Sequence, residues 1–120
     1  MVERMIYVTF QRKGLHRFPD AATNQRWRDV SYLGNEHRHL FKFKVSIAVE
    51  HDDRELEFHQ FLNWLEGLYE GSILNLDHKS CEMIADELYS LIKTKYPKRR
   101  VIIEVSEDGE CGCVVEYTEE

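Results

Sequence analysis

The sequence predicts an α+β domain in which a four-stranded antiparallel sheet carries two helices on one face. Three observations lead to this fold class. Strand-like segments occupy both ends of the chain, two segments with helical periodicity lie between them, and a length of 120 residues suits one domain with its own core. The predicted order of elements is therefore ββααββ, within a single domain that covers residues 1–120.

The first two strands are separated by a long irregular segment. Met5 to Phe10 is a short β-rich run, and residues 11–35 are polar, with glycine and proline that interrupt regular structure. The second strand, at residues 40–50, alternates apolar and polar side chains, as a strand with one buried face does. The side chains that this alternation predicts to be buried are Phe41, Phe43, Val45, Ile47 and Val49.

The apolar period changes to that of a helix after the charged residues 51–54. Apolar side chains at positions 58, 61, 62, 65, 68 and 69 form one stripe, which predicts a helix that ends at Gly71. A second helix is predicted from about Ser80 to Lys95, with Pro97 just beyond its end. The residues expected to be buried in it are Ile84, Leu88, Leu91 and Ile92.

The last two strands form a predicted hairpin. Residues 100–106 and 111–117 are rich in apolar and β-branched side chains, and Asp108-Gly109 between them is a strong signal for a tight turn. A two-residue turn would place Glu107 opposite Glu110. Both faces of the strand at residues 101–105 carry apolar side chains, and sheet edges need covering, so a closed homo-oligomer is expected.

Composition and charge exclude several classes of function. The net charge of −6 argues against nonspecific binding to nucleic acid or to an anionic membrane surface, because both need clustered cations. No apolar run approaches the roughly 18–20 residues that span a bilayer, and the N-terminus lacks the features of a signal peptide. The three cysteines, an odd number, are expected to be reduced thiols of a cytoplasmic protein.

A pair of histidines opens the second strand. His37 and His39 lie two residues apart, so a strand points both imidazoles to the side that buries the apolar residues. Two imidazoles aimed at one point suit Zn²⁺, and His16 upstream would complete three ligands with one position open. The alternative is that one histidine of the pair caps the strand and the other is solvated. His16 would then be a solvated residue of a polar loop.

Five short motifs, in chain order, resemble those of one enzyme family. They are His16-Arg17-Phe18-Pro19, His37-Arg38-His39, Glu57-Phe58, Leu76-Asp77-His78 and Val105-Ser106-Glu107. Together with the order ββααββ over nearly the whole chain, they make the sequence similar to the 6-pyruvoyl and 6-carboxytetrahydropterin synthases. Those proteins have the tunnelling fold, in which oligomerisation closes the sheets of several subunits into a barrel.

The resemblance implies a zinc-dependent carbon–oxygen lyase that acts on a dihydroneopterin triphosphate-like substrate, in the pathway to tetrahydropterin or to 7-deazaguanine bases such as queuosine. It implies that the three histidines hold Zn²⁺, that Asp77 and His78 assist proton transfer, and that Glu107 anchors the pterin ring. The expected assembly is a trimer or a hexamer with the pocket between chains, and the expected partner is a small pterin or purine nucleotide.

Two departures from the family pattern bear on catalysis. The family has a cysteine, its usual base, four residues before the His-x-His pair, where this chain has Leu33. Glu36 is a candidate replacement, although a regular strand would point it away from the face of His37. The loop that follows Leu-Asp-His in the family is missing, so Asp77 belongs either to a catalytic pair or to a helix cap.

These departures leave other function classes open. The chain is either an enzyme of the pterin synthase type or a non-catalytic protein that binds a purine, pterin or nucleotide and has lost the base. A scaffold subunit with neither metal nor ligand is a third possibility. Glu107 likewise has an alternative role, as a residue that merely flanks the turn.

Overall fold

The computed structural model describes residues 2–118, which fold into five strands, two α-helices and two 3₁₀ segments. The strands are β1 (Arg4–His16), β2 (His37–Val49), β3 (Leu74–Asp77), β4 (Val101–Glu107) and β5 (Cys111–Tyr117). The α-helices are α1 (Phe58–Gly67) and α2 (Cys81–Lys95), and the 3₁₀ segments are Pro19–Ala22 and Gln25–Gly34. Within residues 2–118, no helix has the length and apolar character needed to cross a membrane.

One mixed sheet holds the five strands in the order β3-β1-β2-β4-β5. Neighbouring strands are antiparallel except for β3, which pairs with β1 in parallel. The predicted α+β class is confirmed, but the four-stranded antiparallel sheet is wrong, because β3 adds a fifth strand. Its 4 residues are too few to reveal an apolar period in the sequence. The barrel closed by oligomerisation stays a prediction.

The first two strands are longer than predicted, and this places the histidines in the sheet. β1 has 13 residues and continues through the polar residues 11–13 to His16. It pairs with β2 along its whole length, from Arg4 opposite Val49 to His16 opposite His37. Backbone pairing along β2 therefore holds residues 11–16 extended, although their side chains do not signal a strand.

Both α-helices pack on one face of the sheet and share a single apolar core with it. Four of the five side chains predicted to be buried in β2 are at most 2% exposed, and Val49 at the strand end is half-buried. Three of the four predicted in α2 are buried, but Leu91 is 48% exposed and that part of the prediction is wrong. The buried stripe of α2 runs instead through positions 81, 84, 85, 88 and 92.

Candidate metal centre

Strand register brings four potential metal ligands to one end of the sheet. His16 at the end of β1 lies directly opposite His37 at the start of β2, and His39 follows on the same face. Glu107 ends β4 opposite Phe41, the next residue of β2 on that face. One ligand atom from each of His16, His37, His39 and Glu107 lies within 4.8 Å of the others. The three histidines predicted as ligands therefore do lie together.

A glycine and a phenylalanine shape the floor of this cluster. Gly14 is opposite His39, and a Cβ at this position would lie 2.8 Å from side-chain carbons of both Leu76 and Phe41. The ring of Phe41 meets His16 and His39 edge to face, with centroids 5.1 and 5.9 Å apart. This apolar floor holds the imidazoles in place and leaves His16 only 7% exposed.

The Nδ1 atom of each histidine is engaged outside the cluster. Nδ1 of His16 lies 3.0 Å from the Lys79 carbonyl oxygen, and Nδ1 of His37 lies 2.8 Å from the carbonyl oxygen of Asn35. A carbonyl oxygen can only accept, so both Nδ1 atoms donate, and in the neutral ring Nε2 then carries a lone pair. Such an outer hydrogen bond is the usual arrangement of a histidine that ligates a metal through its other nitrogen.

The third histidine is held by Asp108, whose role the sequence did not reveal. Its carboxylate accepts from His39 Nδ1 at 2.7 Å and from the Leu40 amide at 2.8 Å. These bonds, that of Leu40 first, lower the pKa of Asp108. Asp108 has a φ of 60°, the left-handed conformation that suits Asp in a tight turn. The Asp108-Gly109 signal therefore indicated the turn but not this contact.

The hairpin turn also corrects one prediction about Glu107. The Glu110 amide donates to the carbonyl of Glu107, but the strand register places Cys111 opposite Glu107. The predicted opposition of Glu107 and Glu110 is therefore wrong, because Glu110 is an extra residue in the turn. The carboxylate of Glu107 instead approaches the histidines, with Oε2 2.7 Å from His16 Nε2 and 3.7 Å from His39 Nε2.

The ring nitrogens that face the cluster are unusual. Nε2 of His16 and Nε2 of His39 are buried, and neither forms a hydrogen bond with any residue from 2 to 118. The Glu107 oxygen is close to His16 Nε2 but lies off the direction that a hydrogen bond requires. Buried polar atoms without partners are costly. A divalent cation between these atoms would remove the cost, and the donor set of imidazoles and a carboxylate suits Zn²⁺.

A cavity of about 330 Å³ opens beside the cluster. Its volume is at the lower end of the range for small-molecule sites. His16, His37 and Glu107 form one side of it, and His78 also lines it. Leu33, at the position of the family's cysteine, is in the cavity wall. The other lining residues are Arg17, Phe18, Lys79, Ser80, Cys81, Glu82, Cys111 and Gly112.

The predicted Asp77–His78 pair is formed. Asp77 ends β3 with a φ of 49°, and its Oδ2 lies 3.3 Å from His78 Nδ1. This hydrogen bond is the largest cause of the lowered pKa of Asp77, to which Arg17 also contributes. The alternative role of Asp77 as a helix cap is wrong, because the side chain of Ser80 caps α2. His78 therefore lies beside the cavity with a carboxylate behind it.

Glu36 does not reach the cavity. Its side chain is exposed and lines a separate depression with Asp77 and Arg17, as expected for a residue on the opposite face from His37. Cys81, which sequence reasoning did not connect with the site, does line the cavity, and burial raises the pKa of its thiol to about 12. A thiol with such a pKa is protonated at neutral pH and is a poor base or nucleophile.

Comparison with known proteins gives no family for the chain: no family model matches the sequence, and a search of curated proteins finds no significant match. The likeness to the pterin synthases therefore rests on the five motifs alone.

Proposed function

We propose that the chain binds one divalent metal ion, Zn²⁺ by the character of its donors, through His16, His37 and His39. The observation that carries this proposal is the pair of buried Nε2 atoms, on His16 and His39, that lack hydrogen bonds within residues 2–118. Outer hydrogen bonds on all three Nδ1 atoms support it, because they orient each ring toward the common centre.

We further propose that the cavity binds a pterin-like or purine-like ring and that the protein is of the 6-carboxytetrahydropterin synthase type. The support is the resemblance in five motifs, together with a cavity that joins the histidine cluster to His78. The carboxylate of Glu107 can accept two N–H donors from the edge of such a ring. The reaction class is lyase chemistry on a dihydroneopterin triphosphate-like substrate.

The metal site, His78 and Asp77 have separate roles in the proposed reaction. A Zn²⁺ ion held by His16, His37 and His39 would supply a Lewis acid that polarises a hydroxyl or carbonyl oxygen and acidifies a neighbouring C–H. His78 accepts the proton, since Leu33 has no basic atom and Glu36 is elsewhere. Asp77 holds the Nδ1 side of His78 and stabilises the imidazolium after proton transfer.

A second function, binding or sequestering the ligand without catalysis, is favoured by specific features of the cavity. Leu33 removes the usual base, and the cations that would meet a triphosphate are already paired. Arg17 lies 3.5 Å from Asp77, and the ammonium of Lys79 lies 3.1 Å from Glu87. A site of this kind suits the ring better than the phosphates, so wild-type turnover is expected to be slow.

Turnover of dihydroneopterin triphosphate by the wild type and two variants separates the two functions. In the enzyme, His78→Ala lowers the rate by about 10²–10⁴, as general-base removal does, and Leu33→Cys raises it by restoring a base. His59→Ala is the matched control, because His59 is exposed on α1 and outside the cavity.

Calorimetry with neopterin and guanosine measures whether the protein binds the ring. No turnover by the wild type and by Leu33→Cys, together with binding of the ring, establishes the binding protein. A protein that neither turns over the substrate nor binds the ring refutes both functions.

A further inference from the structure

Glu107 lies where a fourth metal ligand would lie. We propose that its carboxylate closes the metal site when the cavity is empty and is displaced when a small molecule binds. This inference rests on the proposed metal site. It differs from the pterin-anchoring role, because a carboxylate bound to the metal is not free to hold a ring.

Glu107 is in close contact with His16. With Nδ1 of His16 donating to a carbonyl, Nε2 of the neutral ring presents a lone pair. In this neutral ring, a carboxylate oxygen 2.7 Å from Nε2 lacks hydrogen-bond geometry and meets the lone pair rather than an N–H. If both atoms bound one cation, their short separation would become favourable, because both would be ligands of the same ion.

The spacing between the Glu107 carboxylate and the imidazole nitrogens is close to that of ligands around one metal ion. Tetrahedral Zn²⁺ with bonds of about 2.0–2.1 Å separates its ligand atoms by about 3.4 Å. The carboxylate oxygen of Glu107 is 2.7 Å from His16 Nε2 and 3.7 Å from His39 Nε2, so the two distances lie on either side of that value.

The residue that follows Glu107 supports its backbone. Its neighbour Asp108 is bonded to both the backbone and the side chain of β2, through Leu40 and His39. The backbone of Glu107 is thus held beside the part of β2 that carries His39, while its side chain is 29% exposed. A supported backbone with a partly exposed carboxylate suits a ligand that another molecule can displace.

A closed site has consequences that an open one does not. With Glu107 bound, an external anion must displace it before reaching the metal. Ring N–H donors that draw the carboxylate away would open the position. Ring binding and anion binding would therefore favour each other, since each removes the same carboxylate from the metal.

Cobalt-substituted protein tests the proposal, with azide as the probe of an open position. The visible spectrum of bound Co²⁺ is followed during azide titration of wild type, Glu107→Gln and the control Glu110→Gln. Glu110 is an exposed residue of the same turn and is outside the cluster. We expect wild type and Glu110→Gln to share one spectrum and one weak azide affinity, and Glu107→Gln to bind azide at least about tenfold more tightly.

Each result separates the two proposals. Tight azide binding by the wild type itself, with Co²⁺ bound at one per chain, overturns the role of Glu107 but keeps the metal site. Failure of the wild type to bind Co²⁺ overturns the metal site. If Glu107→Gln does not fold, Glu107→Asp replaces it, because the shorter carboxylate weakens closure and also raises azide affinity; an unchanged affinity in that variant overturns the proposal.

Discussion

Metal binding should stabilise the fold by a large and predictable amount. The four ligand atoms lie within 4.8 Å of one another only in the folded chain, because they come from β1, β2 and β4. A ligand that binds only the native state stabilises it by about 2.7 kcal/mol at one hundred times its dissociation constant. With about 2.1 cal/mol/K of unfolding entropy per residue, the 120 residues give a rise in Tm of about 11 °C.

The perturbation is the double variant His37→Ala/His39→Ala, compared with His51→Ala/His59→Ala. Both control histidines are exposed and lie outside the cluster. Calorimetric melting with added Zn²⁺ and with chelator gives the rise in Tm for each protein. Wild type and control should show the full rise, and the double variant should show none while remaining folded. An equal rise in wild type and double variant would refute the assignment of these ligands.

Three further predictions concern pH, packing and assembly. Hydrogen bonds from Arg99, at 2.6 and 2.8 Å, lower the pKa of Glu55 from 4.5 to about 2. The stability from this pair is therefore present above about pH 4.5 and is lost as the pH falls toward 2. Urea unfolding of Glu55→Gln should show a loss of about 1–3 kcal/mol at pH 6 that shrinks at pH 3; a loss that is the same at both pH values would contradict this. Gly14→Ala should destabilise the protein by about 1–3 kcal/mol through overpacking, measured by the same unfolding, whereas Gly67→Ala, with open space around it, should not; equal effects would show that the floor of the cluster is not tightly packed. Light scattering at micromolar concentration should give the mass of a trimer or hexamer, and a monomer mass would count against closure of the sheet edges at β3 and β5.

The sequence predicts the parts of the fold that have a clear apolar period. The alternation of β2 specifies its buried face and places His37 and His39 on that face. The helical stripes correctly include Phe61 and Leu65 of α1 and most of the buried residues of α2, but they also include Phe58 and Leu91, which are 49% and 48% exposed. The second half of β1 is not predicted, because residues 11–13 are polar and this part of the strand forms by pairing with β2 rather than by burying apolar side chains of its own. β3 is not predicted either, because its 4 residues are too few to show an apolar period.

The site itself was only partly predictable. Spacing within one strand predicts that His37 and His39 share a face, but the approach of His16 depends on the register between two strands. The proximity of Glu107 depends on the register between β2 and β4, and the support from Asp108 is a contact between the turn and β2, so no pattern within one strand specifies either. The burial of Cys81 beside the cavity likewise arises from the packing of α2 against the sheet.

The metal content of the purified protein tests the central claim most directly. The protein is prepared without chelators and without a histidine tag, and elemental analysis gives the ratio of metal to chain. The three histidines predict about one zinc per chain in the wild type and none in His37→Ala/His39→Ala. A folded wild-type protein that carries no metal, and takes up none from a solution of Zn²⁺, would contradict the account.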